Sequence, residues 1–175
     1  MKILLGVGGG IAAFKAAALA SLLVQRGHEL RVAMSRDAEA FVGRKTFEGL
    51  TGRVAIVSAT QIDPDGTAPH ITATRWAEVY VIAPATADLC ARLAHGVADD
   101  AVSLAAVAFR GRRVLCPAMN DAMWNDAFVQ RNVATLRAAG FLVLGPVEGR
   151  LAEGYAAIGR MVEPETIADC ITGAR

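Results

Sequence analysis

Short, uninterrupted apolar runs recur along this chain, each closing at a glycine or proline and each followed by a stretch of helical composition. Residues 3–7 form the first run and end at Gly8-Gly9-Gly10. Residues 11–26 follow, rich in Ala and Leu, and stop at Gly27, a residue type suited to the position just past a helix end. Residues 30–34 are apolar again. The opening 35 residues therefore predict strand, glycine turn, helix, strand, a βαβ unit that requires parallel pairing and a right-handed crossover.

Downstream, the pattern predicts helix over 37–50, broken at Gly43, and a weak strand over 54–57. A loop over 61–70 carries the turn sequences Asp63-Pro64-Asp65-Gly66 and Ala68-Pro69-His70. A short helix over 71–77 precedes a strand over 79–83, stopped at Pro84. Helices over 86–95 and 99–109 lead to a strand over 113–116, stopped at Pro117. One long helix over 121–139 ends at Gly140. A last strand over 141–144, a glycine-containing loop over 145–159 and a helix over 164–171 complete the chain.

Strands that are apolar throughout, alternating with helices, mean an α/β fold: a parallel sheet covered by helices on both faces, in three layers. Ligands in such folds sit beyond the carboxyl ends of the strands. The length of 175 residues suits one domain spanning 1–175, at roughly 100–200 residues per domain. Hydrophobic residues make up 54%, above the usual ~45–50%, and 35 of them are alanine, so elements can pack closely. A net charge of +1 gives no basic footprint for nucleic acid or a membrane surface. No apolar run approaches the ~18 residues of a membrane span, and the glycine-interrupted N-terminus reads as a buried strand rather than a signal peptide. Cys90, Cys116 and Cys170 have no metal-like spacing and fit reduced thiols in the cytoplasm.

Gly6-Val7-Gly8-Gly9-Gly10-Ile11 approaches a dinucleotide fingerprint but has Ile11 at its third required position, and Met34-Ser35-Arg36 stands where a ribose-binding acid is expected. Two readings stay open: a turn whose N–H groups hold a bare phosphate, with Ser35 adding a hydroxyl, or a tight turn with no ligand. His70 reads on its own as a surface loop histidine. His28 and His95 read as structural, and Asp99-Asp100 as a helix start. Met123 and Trp124 read as core. Asn120 is the more informative residue, because a side-chain amide at a strand's C-terminal edge both donates and accepts.

Four segments resemble the flavin-dependent cysteine decarboxylases, which include phosphopantothenoylcysteine (PPC) decarboxylase and the peptidyl-cysteine decarboxylases. They are Gly8-Gly9-Gly10-Ile11-Ala12-Ala13-Phe14-Lys15; His70-Ile71; Ile82-Ala83-Pro84-Ala85-Thr86-Ala87-Asp88 with Leu93-Ala94-His95-Gly96-Val97-Ala98-Asp99-Asp100; and Pro117-Ala118-Met119-Asn120-Asp121-Ala122-Met123-Trp124. The last two, in this order and spacing, are the specific part. The resemblance implies a Rossmann-like flavoprotein domain, assembled as a homotrimer or as multiples of trimers such as a homododecamer, with FMN between protomers. The phosphate would lie on Gly9, Gly10, Ile11 and Ala12 near Ser35, and the ring against Ala85, Thr86, Ala87 and Asp88, with Ser103 close.

The implied substrate is a small cysteine-derived carboxylate. Hydride loss from its sulfur-bearing carbon to FMN leaves a thioaldehyde, whose C=S group accepts the electrons released with CO₂. His70 would be the acid/base, Asn120 would grip the carboxylate and Met123 would shape the pocket. Ala152, Gly154 and Arg160 lie in the late substrate-binding frame, Leu151-Ala152-Glu153-Gly154 and Gly159-Arg160-Met161-Val162-Glu163-Pro164. That frame departs from the family in carrying Glu153 where a proton-donating cysteine is expected. Glu153 or a neighbour would then donate the proton, or the reaction would stop at the enethiol, or flavin would bind without this activity. The Gly-Arg-Met…Glu-Pro frame favours conversion of 4′-phospho-N-pantothenoylcysteine to 4′-phosphopantetheine in coenzyme A biosynthesis. The alternatives are a decarboxylase of peptides ending in cysteine, giving an aminoenethiol, and a non-catalytic FMN-binding regulatory subunit. Retention of His70 and Asn120 argues against the last.

Overall fold

The computed structural model describes residues 1–173, so the last two residues of the expected domain lie outside the described residues. Five strands form one parallel sheet: β1 (Lys2–Val7), β2 (Glu29–Met34), β3 (Val79–Ala85), β4 (Arg112–Pro117) and β5 (Phe141–Val143), in the order β2-β1-β3-β4-β5. The order reverses between β1 and β3: the chain builds β2 on one side of β1, then crosses to lay β3 on the other. That reversal opens a crevice at the carboxyl ends of the two strands.

Strand alternation sorts the core into two halves. Ile3, Leu5, Val7, Val79, Val81 and Ala83 point to one face and pack with helices α1 (Ala13–Gln25), α2 (Arg44–Thr51) and the C-terminal helix Pro164–Thr172. Leu4, Tyr80, Ile82 and Ala85 point to the other. They meet α3 (Pro69–Trp76), α4 (Ala87–Ala94), α5 (Ala101–Ala108) and a helix over Ala127–Ala138. Both faces of the sheet are thus covered, which explains why the buried parts of the strands are apolar at consecutive rather than alternate positions. The three-layer α/β expectation holds, and residues 2–7, the run open to confusion with a leader, form a strand inside the sheet.

Several boundaries differ from expectation. Pro84 does not stop β3: the strand passes through a cis Ala83–Pro84 peptide to Ala85, with a shift in its pairing to β4. Proline removes only its own N–H, and the Pro84 carbonyl still accepts a hydrogen bond from the Gly8 N–H at 3.1 Å. Pro117 likewise belongs to β4 rather than ending it beforehand. The expected long helix over 121–139 is two helices, α6 (Asp121–Trp124) and α7 (Ala127–Ala138). The Asp126 carboxylate starts the second by accepting from the N–H groups of Phe128 and Val129. Residues 54–57 make only a single bridge, Ile56 to Ala33. The loop over 61–70 ends two residues early, because Pro69 opens α3 and puts His70 in its first turn.

The largest difference is over 145–159. These residues are not a loop but most of an antiparallel hairpin, β6 (Val147–Arg150) and β7 (Ala156–Arg160), standing outside the main sheet. The closing helix, α8, is Pro164–Thr172. The break at Gly43 is as expected, with a 3₁₀ turn over Ala38–Ala40 before it and α2 after it.

Candidate active site

The carboxyl ends of β1 to β4 and the hairpin together wall a cleft of about 840 Å³. Its floor depends on two glycines. A Cβ on Gly8 would lie 2.3 Å from the Pro84 carbonyl oxygen, so β1 and β3 converge this closely only because that position has no side chain. Gly159, with φ of 144°, would drive a Cβ to 2.2 Å from the Met119 carbonyl oxygen. There the hairpin abuts the segment after β4, and the Met119 N–H donates to the Gly159 carbonyl at 3.0 Å. Lys15, buried in α1, donates from Nζ to the Met161 carbonyl and to Glu163 Oε1, each at 3.1 Å, and so ties α1 to the chain leaving the hairpin.

One end of the cleft suits an anion. No hydrogen bond among the described residues uses the N–H groups of Gly9, Gly10, Ile11 or Ala12, or the Ser35 hydroxyl. These groups, with Arg36, line the wall at the start of α1. Free N–H groups at a helix start, reinforced by a cation, form a ready phosphate site. Arg92 is already engaged, by Asp88 at 2.7 Å and by Asp99, and holds the Asp99 carboxyl below its ordinary range. Arg160 and Lys15 both meet Glu163. Arg36 and Arg150 are the cleft cations that make no ion pair among the described residues.

The other end is built around Asn120. It is the N-cap of α6: its Oδ1 accepts from the Ala122 N–H at 2.9 Å. That bond fixes the amide's orientation, so Nδ2 points at the hairpin, donating to Glu153 Oε1 at 2.9 Å and to the Tyr155 hydroxyl at 3.0 Å. Tyr155 in turn donates to Asp121, which raises the tyrosine's pKa. Met123, which reads as core from the pattern and as a pocket residue from the resemblance, is 47% exposed and lines the cleft, whereas Trp124 packs against the core.

Of the other expected residues, Thr86, Ala87, Asp88, Ala152, Glu153 and Arg160 lie on the wall. Thr86 also caps α4, accepting from the Leu89 N–H. Ala85 does not reach the wall, because it is fully buried in β3. Ser103 does not either: it is fully buried and shares a capping box with Asp100, and it is Asp100 that borders the cleft. Gly154 shapes the hairpin turn, donating to the Leu151 carbonyl at 3.1 Å. His70 is separate from the cleft within one chain, and its Nδ1 is buried with no partner among the described residues. Cys90 and Cys116 are poor nucleophiles: burial pushes Cys90 up to about 12 and Cys116 higher still.

Sequence reasoning missed Arg36, Asp100, Arg150 and Tyr155. Arg36 adjoins Ser35 and was within reach of the pattern, but Tyr155 gave no signal, since its role depends on the hairpin's register.

The Flavoprotein family profile matches residues 1–175. The chain belongs to the Flavoprotein family. This flavoprotein is 41% identical over 172 residues to the bifunctional coenzyme A biosynthesis protein CoaBC of Vibrio cholerae, covering 97% of this chain and 43% of that protein. The chain therefore spans less than half the length of that relative. It is similar to SpaF, an FMN-dependent cysteine decarboxylase, with 32% identity, a TM-score of 0.85 and coverage of 99% of this chain and 97% of SpaF. It is also similar to a cysteine-to-serine variant of PPC decarboxylase complexed with pantothenoylaminoethenethiol, with 26% identity, a TM-score of 0.87 and coverage of 98% and 96%.

A flavin mononucleotide fits the residues present. The cleft volume lies within the ~300–1,000 Å³ of small-molecule sites, and the unused N–H groups meet the need of a phosphate for donors.

Proposed function

We propose that this flavoprotein domain is an FMN-dependent decarboxylase of a cysteine-derived carboxylate, with 4′-phospho-N-pantothenoylcysteine as its substrate, giving 4′-phosphopantetheine in coenzyme A biosynthesis. The observation that carries the reading is one cleft with an anion-ready glycine turn at one end and an oriented amide, Asn120, at the other. Likeness to CoaBC and to PPC decarboxylase supports the substrate.

Gly9, Gly10, Ile11 and Ala12 donate backbone N–H groups to the FMN phosphate, joined by the Ser35 hydroxyl and the Arg36 charge. Thr86, Ala87 and Asp88 border the ring. Bound FMN supplies a hydride acceptor, without which a simple carboxylate has nowhere to leave its electrons. Asn120 donates to the substrate carboxylate, Met123 covers the apolar part of the chain, and Arg150 offers an unpaired cation to the substrate's phosphate.

His70 acts as acid/base from a second copy of the chain. Its imidazole is unsatisfied and off the cleft in its own chain, and Ile11 and Phe14, 63% and 60% exposed at the cleft rim, give a second copy an apolar face to cover. A trimer, alone or in multiples, satisfies both. Three free thiols support a reducing, cytoplasmic setting. Among the described residues no helix is long and apolar enough to cross a membrane.

Glu153, a carboxylate where the family frame carries cysteine, favours a second reading of the final step: the reaction stops at the enethiol, as for a peptide ending in cysteine. Product mass separates the two, because the enethiol is two hydrogens lighter. His70→Asn tests the shared part. Turnover should fall on the order of a hundredfold or more, the usual contribution of a positioned acid/base, with FMN retained. Unchanged turnover contradicts the reading.

A further inference from the structure

The tip of the hairpin, residues 151–155, is joined to the body by hydrogen bonds that all pass through two side chains, Asn120 and Asp121, among the described residues. Within the tip, the Leu151 N–H donates to the Tyr155 carbonyl at 2.8 Å, which keeps it a closed turn, and Leu151 itself is buried. The Asn120 side chain has no donor to spare. Its oxygen caps α6, and its two N–H groups go to Glu153 and Tyr155.

A substrate carboxylate received by the Asn120 side chain must take one of those N–H groups. Tyr155 is held independently by Asp121, whereas the Glu153 carboxylate has no other partner among the described residues and lies exposed, so water takes it up at little cost. Two carboxylates on one amide also repel each other. Glu153 is therefore the group that yields.

We propose that Glu153 is a resident carboxylate: in the empty enzyme it occupies, on Asn120, the position taken by the carboxylate of an N-acylcysteine substrate, and substrate binding displaces it from the amide while Tyr155 keeps the tip on Asp121. This rests on the reading that Asn120 receives the substrate carboxylate. The device has a direction. Decarboxylation removes the group that competes with Glu153, so Glu153 returns to Asn120 as product leaves. Glu153 here is a positioning residue that lowers the affinity of Asn120 for acids and leaves that for their decarboxylated products unchanged.

The test uses flavin-loaded protein and oxygen analogues that lack the reacting sulfur. 4′-Phosphopantothenoylserine is titrated against its decarboxylated counterpart, 4′-phosphopantothenoylethanolamine, and a serine-ending tripeptide against the matching C-terminal ethanolamide. Binding is followed by calorimetry for the wild type, Glu153→Ala and Glu153→Gln. In Glu153→Ala an acid should bind on the order of fivefold to tenfold tighter, the scale of one ordinary net hydrogen bond relieved at an exposed site. Its decarboxylated partner should be unchanged, and Glu153→Gln should fall between, because it keeps the hydrogen bond but not the charge. A general loosening of the hairpin would move both ligands together, and that result overturns the proposal. So does an acid that binds the wild type and gains nothing in Glu153→Ala. If neither acid binds any of the three proteins, the functional reading itself fails, and the proposal falls with it.

Discussion

Asn120 performs two jobs with one amide, and that economy of groups explains why its neighbourhood is specific. Capping α6 through Oδ1 points Nδ2 away from the helix and into the cleft. The sequence showed a polar amide at a strand's end, but the partners Glu153 and Tyr155, 33 and 35 residues away, could not be read without the hairpin's fold. His70 shows the reverse case. Its position in the chain was clear from its resemblance, while its distance from its own cleft was not, because local pattern does not say which elements of the fold meet.

The protein has two tyrosines, and both are held protonated. Burial keeps Tyr80 well above its ordinary value, with its hydroxyl donating to the Val102 carbonyl at 2.9 Å, and donation to Asp121 raises Tyr155. Each folded-state pKa exceeds the unfolded one, so the stabilisation is present in full below the unfolded value of about 10 and is lost as pH rises through the folded values. Phenolate absorbance should therefore show no tyrosine titrating at the ordinary pKa in the folded protein and both doing so in denaturant. A folded-state titration at the ordinary value would contradict this geometry.

At the level of elements, the βαβ start, the five sheet strands and most helices were legible, because strands buried on both faces have apolar interiors and α4 to α7 open at a capping side chain. The failures share a cause: they lie where tertiary contacts override local pattern. Pro84 continues β3 because its carbonyl, not its N–H, is what Gly8 needs. β6 and β7 are exposed over most of their length and carry no apolar alternation, so nothing marked them as strands. The hairpin's seat at Gly159 can be tested directly. Gly159→Ala places a methyl against the Met119 carbonyl in a backbone conformation that suits glycine, and should destabilise the protein by about 1–3 kcal/mol in urea unfolding. It should also weaken substrate binding, since Met119 adjoins Asn120. A fully stable Gly159→Ala with unaltered substrate affinity would show that the hairpin's seat is not needed.

For the whole molecule, the sheet reversal between β1 and β3 and the covered faces locate the cleft, and the proposed second copy completes it. If His70 and Asn120 act in one cleft from different chains, His70→Asn and Asn120→Ala should each be inactive alone. Mixed, dissociated and reassembled, they should regain a fraction of wild-type activity through clefts that hold both native residues. No recovery, from mixed oligomers shown to contain both chains, would put His70 back within one chain.

The central claim, flavin-dependent decarboxylation, is tested most directly by mixing FMN-loaded protein anaerobically with 4′-phospho-N-pantothenoylcysteine while following flavin absorbance and released CO₂ together. The account predicts loss of the oxidised-flavin band with stoichiometric CO₂, followed by recovery of the band if 4′-phosphopantetheine is the final product. Flavin that stays bound and oxidised, with no CO₂ formed, would contradict it.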